Sequence, residues 1–366
     1  MDMLRRDWAI PAVVFVLFAG FYVTITLVAG SDFLFRPVWD IDHYRAIAQR
    51  GYEIYPCDPA VHYPAGDICG NVGWFPAWPL AVKILSLGQV DIGIRILPYL
   101  FALAGFILLY RVLLEMADRR AALIGVIALA ATPSAFYFLT GFPYAFLLFL
   151  FSLYLFYFYH PEARGRRYIL PATALVFSLS YPSAFLAAII PVIHVGGRLW
   201  RDGATRRIGA LAVELVYHVL PFVLGPLLLS VYFYFRFDDF LLIVHFQEKY
   251  HRSWGFPPTV LWNSFLQFPV LYVENASVLF YGLVFLIFAP YRLKPELVAY
   301  LLLFYFFSPA TGSVISVYRH YLLLFPAAMA IGMSSRPTWV KITYVLLGLA
   351  MALWRFFPIF MDGRLI

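Results

Sequence analysis

Apolar stretches long enough to cross a bilayer recur along the chain from Ala9 to Phe357, and no other feature of the sequence limits its fold so strongly. A helical span takes about 20 residues, because a backbone surrounded by hydrocarbon has to satisfy its own hydrogen bonds. No polar segment between these stretches is long enough for a separate soluble domain. Of the 366 residues, 63% are hydrophobic and 13% are charged, against about 25% charged in a soluble domain. So few charges cannot cover a water-facing surface. The expected fold is therefore all-α and integral to the membrane, with residues 1–366 as a single transmembrane domain.

The formal net charge of +7 invites a nucleic-acid reading, but its distribution favours topology instead. Basic residues gather in short turns between apolar runs: Arg119 and Arg120; Arg164, Arg166 and Arg167; Arg198, Arg201, Arg206 and Arg207; Arg292 and Lys294; Arg336 and Lys341. The positive-inside rule puts these turns, with Arg5 and Arg6, on the cytoplasmic side of an inner (plasma) membrane. Ala9 to Gly30 is longer than a signal-peptide apolar core and reads as a retained first span. Anchored in this way, the sequence gives about 11 spans, near 9–30, 93–114, 122–139, 143–159, 168–181, 182–197, 208–235, 275–291, 297–308, 321–333 and 338–357. The short pair meeting at Tyr181-Pro182 has the pattern of a broken helix.

Three segments then fall on the outer face: 31–92, 236–273 and 311–321. The first holds Phe75-Pro76-Ala77-Trp78-Pro79 and the amphipathic run Leu80 to Leu87, which is expected to lie along the interface. Irregular loops of this length are usually functional, the plain alternative being a passive cap. Cys57 and Cys69, the chain's two cysteines, both fall there. In an oxidising compartment they can close a disulfide, or they can remain free thiols. Zinc is disfavoured, since no CxxC or HxxxH spacing occurs.

Asp40, Asp42 and His43 sit just beyond the first span. A carboxylate there can take a proton from an attacking hydroxyl as a general base. Alternatively, Asp40 or Asp42 caps a short helix over 43–49. In the third outer segment Arg319, His320 and Tyr321 open a span. A guanidinium at the lipid interface suits bidentate binding of phosphate, although an interface arginine can also simply snorkel. The second segment offers Lys249, His251, Arg252 and Trp254, a cationic and aromatic set suited to a sugar phosphate but equally typical of a solvated loop.

The pattern Trp39-Asp40…Tyr44…Ile47-Ala48…Gly51-Tyr52, followed by Trp74-Phe75-Pro76-Ala77-Trp78-Pro79, resembles the WD…Y…IA…GY and FFPLYP signatures of PIG-V type mannosyltransferases. Arg319-His320-Tyr321…Phe325-Pro326 is similar to that family's late RY…FP motif, with His320 inserted. The resemblance implies a glycosyltransferase bundle of the GT-C class with short interfacial helices in a large first outer loop. It further implies a polyprenyl-phosphate sugar as donor, a glycolipid or glycan as acceptor, membrane lipids as surroundings, and no nucleic acid. Carried onto this sequence, Asp40 becomes the base, Asp42 its partner and Arg319 the donor-phosphate ligand, with Trp39, Tyr44, Trp74 and Trp78 near the substrate. Single displacement by the acceptor hydroxyl implies inversion at the anomeric carbon. No cofactor is firmly implied; the Asp40-Ile41-Asp42 spacing can hold a divalent ion, but without further clustered ligands the case is weak.

Two family positions differ. PYTESLF appears as Pro143-Tyr144-Ala145-Phe146-Leu147-Leu148-Phe149, and TRPTG as Ser180-Tyr181-Pro182-Ser183-Ala184. The missing Glu and Arg positions, Phe146 and Tyr181, are expected to face each other, because losing one member of a buried pair costs about 3–5 kcal/mol. The competing function classes are a transporter and a non-catalytic partner of an enzyme. A transporter concentrates ionisable groups at mid-membrane. Here Glu214 and His218 are the clear candidates, and one helical turn apart they read as a hydrogen-bonded structural pair.

Overall fold

The computed structural model describes residues 8–36, 39–58, 67–201, 208–248, 254–288 and 292–363. In chain order its helices are α1 (Ala9–Val28), α2 (Asp40–Arg50), α3 (Ala77–Leu85), α4 (Val90–Met116), α5 (Arg119–Ala130) and α6 (Tyr144–Tyr159). There follow α7 (Arg166–Ser178), α8 (Ile189–Arg201), α9 (Ile208–Phe237), α10 (Leu242–Glu248), α11 (Pro257–Gln267) and α12 (Val273–Ile287). The last are α13 (Pro295–Ala310), α14 (Val317–His320), α15 (Phe325–Met333), α16 (Thr338–Met351) and α17 (Phe357–Met361). The all-α expectation holds, with one small hairpin in the first loop.

Among the described residues four helices are long and apolar enough to cross a membrane: Ala9–Val28, Val90–Met116, Ala212–Phe237 and Thr338–Met361. Large apolar side chains line their outer faces, including Leu17, Phe235 and Leu346. Side chains of this kind are stable on the surface only against lipid, so this is a membrane protein. The remaining apolar segments are shorter, so the expected spans are not each one long helix. Residues 122–139 break into α5 and a 3-10 turn over Ala135–Leu139, and 168–181 and 182–197 are separated between Ser178 and a second turn at Ala184–Ala188. Residues 321–333 divide into a turn at Tyr321–Leu323 and the nine-residue α15. Pro133, Pro182 and Pro326 lie at these breaks, where a missing N–H and a fixed φ stop a helix. Irregular backbone inside a membrane protein is tolerated where protein buries it. Here Tyr300 Oη, for example, donates to Leu323 O at 2.8 Å.

The first loop is built onto the end of this bundle. Strands β1 (Ile54–Pro56) and β2 (Ile68–Gly70) pair antiparallel, and Cys57 is disulfide-bonded to Cys69, as the oxidised reading expects. The loop's Val72 and Phe75 pack with Leu229, Phe233, Leu242 and Phe246. The first outer segment is thereby tied to the end of α9 and to α10. On α3, Trp78 and Val82 face inward while Leu80 and Ile84 are exposed, as an interfacial helix requires.

Two expectations fail here. Glu214 pairs with Arg198 at 2.6 Å rather than with His218. The His218 ring instead packs edge-on against Phe158, with its Nδ1 buried and unbonded. The second failure concerns Phe146 and Tyr181. Phe146 packs on Trp78 and Phe101, whereas Tyr181 bonds Tyr144, two residues from Phe146 and so on the other side of α6. The two positions have different neighbours, which removes the argument that they compensate each other. Asn275 near the start of α12 is fully buried and bonded to Ser264, and so ties α11 to α12.

Candidate functional site

The chain enters α2 through Trp39, whose φ of 52° and ψ of −121° lie where side chains other than glycine are strained, at a cost of about 1–3 kcal/mol. Its ring sits edge-on to Phe360. The helix that follows begins at Asp40, three residues before the sequence-expected start, and ends at Gly51, whose φ of 86° suits glycine. The Trp39 N-cap makes no side-chain capping bond, and the Asp40 carboxylate is turned elsewhere.

It meets Arg319. Arg319 Nη1 donates to Asp40 Oδ2 at 2.7 Å, joining positions 279 residues apart. Arg319 is 7% exposed, on the one-turn α14 that follows the left-handed Ser316 (φ 64°). Its Nη2 donates to Ser316 Oγ at 2.9 Å, and its guanidinium lies 5.3 Å from the centre of the Phe142 ring. The Nε donor is buried and makes no hydrogen bond. This packing excludes the snorkelling reading, in which the head group reaches water. It also gives the Asp40 carboxylate a role that capping does not explain.

A second carboxylate, missed in the sequence, completes the cluster. Glu274 in the first turn of α12 is 6% exposed. It accepts the Ser316 backbone N–H, lies within electrostatic reach of Arg319, and leaves Oε2 without a partner. Its one sequence signal is an acid at the very start of an apolar run. The cluster thus gives one guanidinium a bonded carboxylate and a second within electrostatic reach, each held from a different part of the chain.

Around this centre, His320 Nδ1 and Tyr181 Oη are 2.6 Å apart, and Tyr181 Oη is 3.2 Å from Tyr144 Oη. The position where relatives of the resembled family carry Arg therefore holds a hydroxyl that links the late motif to α6. His43 stacks on Trp74 with ring centres 3.7 Å apart. His43 lies one turn after Asp40 and so shares its face of α2. Asp42, two positions on, points away from Arg319 and is exposed. Partial burial pushes its carboxyl above the usual range, and Arg45 pulls it back.

Other expected residues are not gathered. Trp78 is fully buried, with Nε1 donating to Gly141 O at 2.8 Å. Gly141 is there because a Cβ would meet Ile41 Cγ2 at 2.7 Å and Ile94 Cγ1 at 2.9 Å. Trp78 therefore braces α3 against this turn and offers no face to a sugar. Tyr321 is 1% exposed and donates to Tyr305 O at 2.8 Å, which spends its hydroxyl within the core. Tyr44 is 2% exposed, buried within electrostatic reach of Asp40 and Arg319. Trp254 is 84% exposed, beside Gly255, whose N–H donates to Ala310 O at 3.0 Å. Lys249, His251 and Arg252 lie outside the described residues. Among the described residues no three His, Cys, Asp or Glu side chains come together as a metal site would need. Asp40 of the candidate DxD faces a guanidinium.

No protein-family model matches the chain, and no curated protein does. A search of solved structures finds the Archaeoglobus fulgidus oligosaccharyltransferase in its apo form. The identity is 14% and the TM-score 0.48, over 100% of this chain and 56% of that one.

Chemically, the cluster offers a carboxylate to accept a proton and a cation with an unspent N–H donor. Asp40 is the more open of the pair, its side chain 27% exposed against 9% for Arg319. Water or a hydroxyl therefore reaches the Asp40 carboxylate before it reaches the Arg319 guanidinium.

Proposed function

We propose that the protein is a membrane glycosyltransferase of the GT-C kind that moves a sugar from a polyprenyl-phosphate donor to a hydroxyl of a lipid-linked or glycan acceptor, with inversion. The observation that carries this reading is the Asp40–Arg319 contact at 2.7 Å, with Arg319 Nε left unbonded. It joins the first and the last of the motifs on which the resemblance to PIG-V type mannosyltransferases rests.

In this reading the donor phosphate approaches Arg319 and takes over part of its guanidinium fork, which binds phosphate in the same planar geometry as carboxylate. Asp40, released from its counter-ion, becomes a better base for the acceptor hydroxyl. The hydroxyl oxygen bonds to the anomeric carbon as the bond from that carbon to the phosphate oxygen breaks. The acceptor proton passes to Asp40, and the negative charge on the leaving phosphate is met by Arg319. Glu274 keeps the guanidinium in place when Asp40 lets go. His43, stacked on Trp74 beside Asp40, supplies an aromatic wall for the sugar. Mannose and a glycolipid acceptor are the substrates the motif resemblance favours.

The test is sugar transfer from polyprenyl-phosphate sugars in reconstituted vesicles. Asp40→Asn should cost two or more orders of magnitude in rate, in line with the usual worth of a general base of about 10²–10⁴. Transfer that proceeds equally well in that variant removes Asp40 as the base. Absence of transfer from every such donor returns the transport and partner readings to first place.

A further inference from the structure

The cluster at Asp40 leaves most of the basic residues unexplained, and several of them meet at the other end of the bundle. Helix α4 begins beside α2, where Arg45 is paired with Asp91. Its 27 residues at about 1.5 Å each carry the chain about 40 Å to Met116. There a cavity of about 800 Å³ opens between the start of α5, the end of α15 and the start of α16. Four cations line it: Arg120, Arg292, Arg336 and Lys341. The one acid in its lining, Asp118, is already bonded to Ala121 N at 2.8 Å as the N-cap of α5.

Three further features point to an anion. Lys341 is 7% exposed, and of its three N–H donors one is bonded, to Gly332 O at 2.9 Å. Arg120 and Arg292 both repel this lysine and Asp118 is the one acid that attracts it, so the cations around the cavity outnumber the carboxylate and leave positive charge to be met. In addition, α16 starts at Thr338 behind Pro337, which makes no side-chain cap, so its positive end adds to the cavity lined by both residues. Finally, Arg120 bonds Thr338 Oγ1 and Arg336 donates to Ile287 O at 2.6 Å, which holds the arginines at the cavity.

The source of the anion follows from the outside of α16. Trp339, Ile342 and Leu346, spaced at i, i+3 and i+7, are exposed at 70%, 52% and 57%. They form one apolar stripe leading away from the cavity mouth. We propose that the cavity binds the phosphate of an anionic phospholipid, whose acyl chains lie along this stripe. Basic pockets between helix ends on the charge-rich side of a membrane protein recognise such head groups by the same chemistry. The site is separate from the Asp40 cluster, and its assignment does not depend on the proposed transfer reaction.

Native mass spectrometry of the intact protein released from detergent micelles tests this. The probes are dioleoylphosphatidylglycerol, dioleoylphosphatidylcholine and glycerol 3-phosphate. The wild type should retain one phosphatidylglycerol at about tenfold lower concentration than phosphatidylcholine, the equivalent of one charge-assisted contact. Lys341→Gln should erase that preference. Arg292→Gln, an alteration on the cavity rim, should reduce it and keeps the test decisive if the buried substitution prevents folding. Lys83→Gln, an exposed change on α3, should leave it as it was. Equal retention of the two lipids, a preference untouched by Arg292→Gln, or displacement of the lipid by glycerol 3-phosphate at matching concentration would each overturn the proposal.

Discussion

The two ends of this bundle handle positive charge in opposite ways. At the Asp40 end one buried cation, Arg319, faces a carboxylate at 2.7 Å and has a second one, Glu274, within electrostatic reach. At the other end four cations share a cavity with a single acid that is already used as a helix cap. An internally neutralised cluster is preorganised: its members hold each other in position and await a substrate that exchanges partners with them. A cavity with surplus charge is incomplete without an outside anion. On the proposed readings, the same residue types, sorted by whether their partners come from the chain, suit one end to chemistry and the other to retention of a ligand.

The largest effect should come from breaking the neutralised end. Arg319→Ala leaves Asp40 and Glu274 without their cation and should lower stability by about 3–5 kcal/mol, read as a fall in the thermal midpoint in detergent. It should also abolish sugar transfer. Arg319→Lys keeps the charge but not the planar fork, so it should recover most of the stability and little of the transfer. If both substitutions are tolerated equally, Arg319 is not a paired, shape-specific ligand and the contrast between the two ends dissolves.

Trp78→Ala should cost about 3–5 kcal/mol by emptying a full ring volume from the core, with donor KM unchanged in whatever fraction folds. A raised KM at retained stability would return Trp78 to the substrate face. Opening the first loop ranks next. Cys57→Ser together with Cys69→Ser removes the link across a short loop, worth about 3 kcal/mol, and should appear as faster proteolysis of the hairpin. At the opposite end Asp118→Ala removes the α5 cap, for about 1 kcal/mol. Because it also deletes the cavity's one acid, it should strengthen phosphatidylglycerol retention, which no substitution at the Asp40 end should do. Smallest of all, Asp42→Asn should change stability by less than about 0.5 kcal/mol and leave transfer intact, since Asp42 points away from Arg319.

Much of this contrast was legible in the sequence, and the illegible parts have physical causes. Apolar run length gave an all-α membrane protein, since in lipid the helix is nearly the only way to satisfy the backbone. It overstated the long helices, because buried segments broken at Pro133, Pro182 and Pro326 are just as apolar as continuous spans. The Trp39-Asp40 and Arg319 motifs were found, yet their contact spans 279 residues, and a separation of that kind has no periodicity to betray it. Trp78 and Tyr321 were misplaced because an indole or phenol that stacks on a ligand and one that bonds a backbone carbonyl look identical as letters. Glu274 was missed because the groups that define its surroundings, the Ser316 backbone and Arg319 at α14, lie far along the chain from it. The basic turns stand out in the sequence as a group, but which of them share a cavity is decided by how α5, α15 and α16 meet.

The central claim is that Asp40 and Arg319 act as one unit, and a double-mutant cycle on sugar transfer from a polyprenyl-phosphate mannose donor measures that directly. Asp40→Asn, Arg319→Gln and the double variant should lose comparable rate, with the double no more impaired than the worse single, as groups that act together behave. Losses that multiply, or full transfer in either single variant, would contradict it.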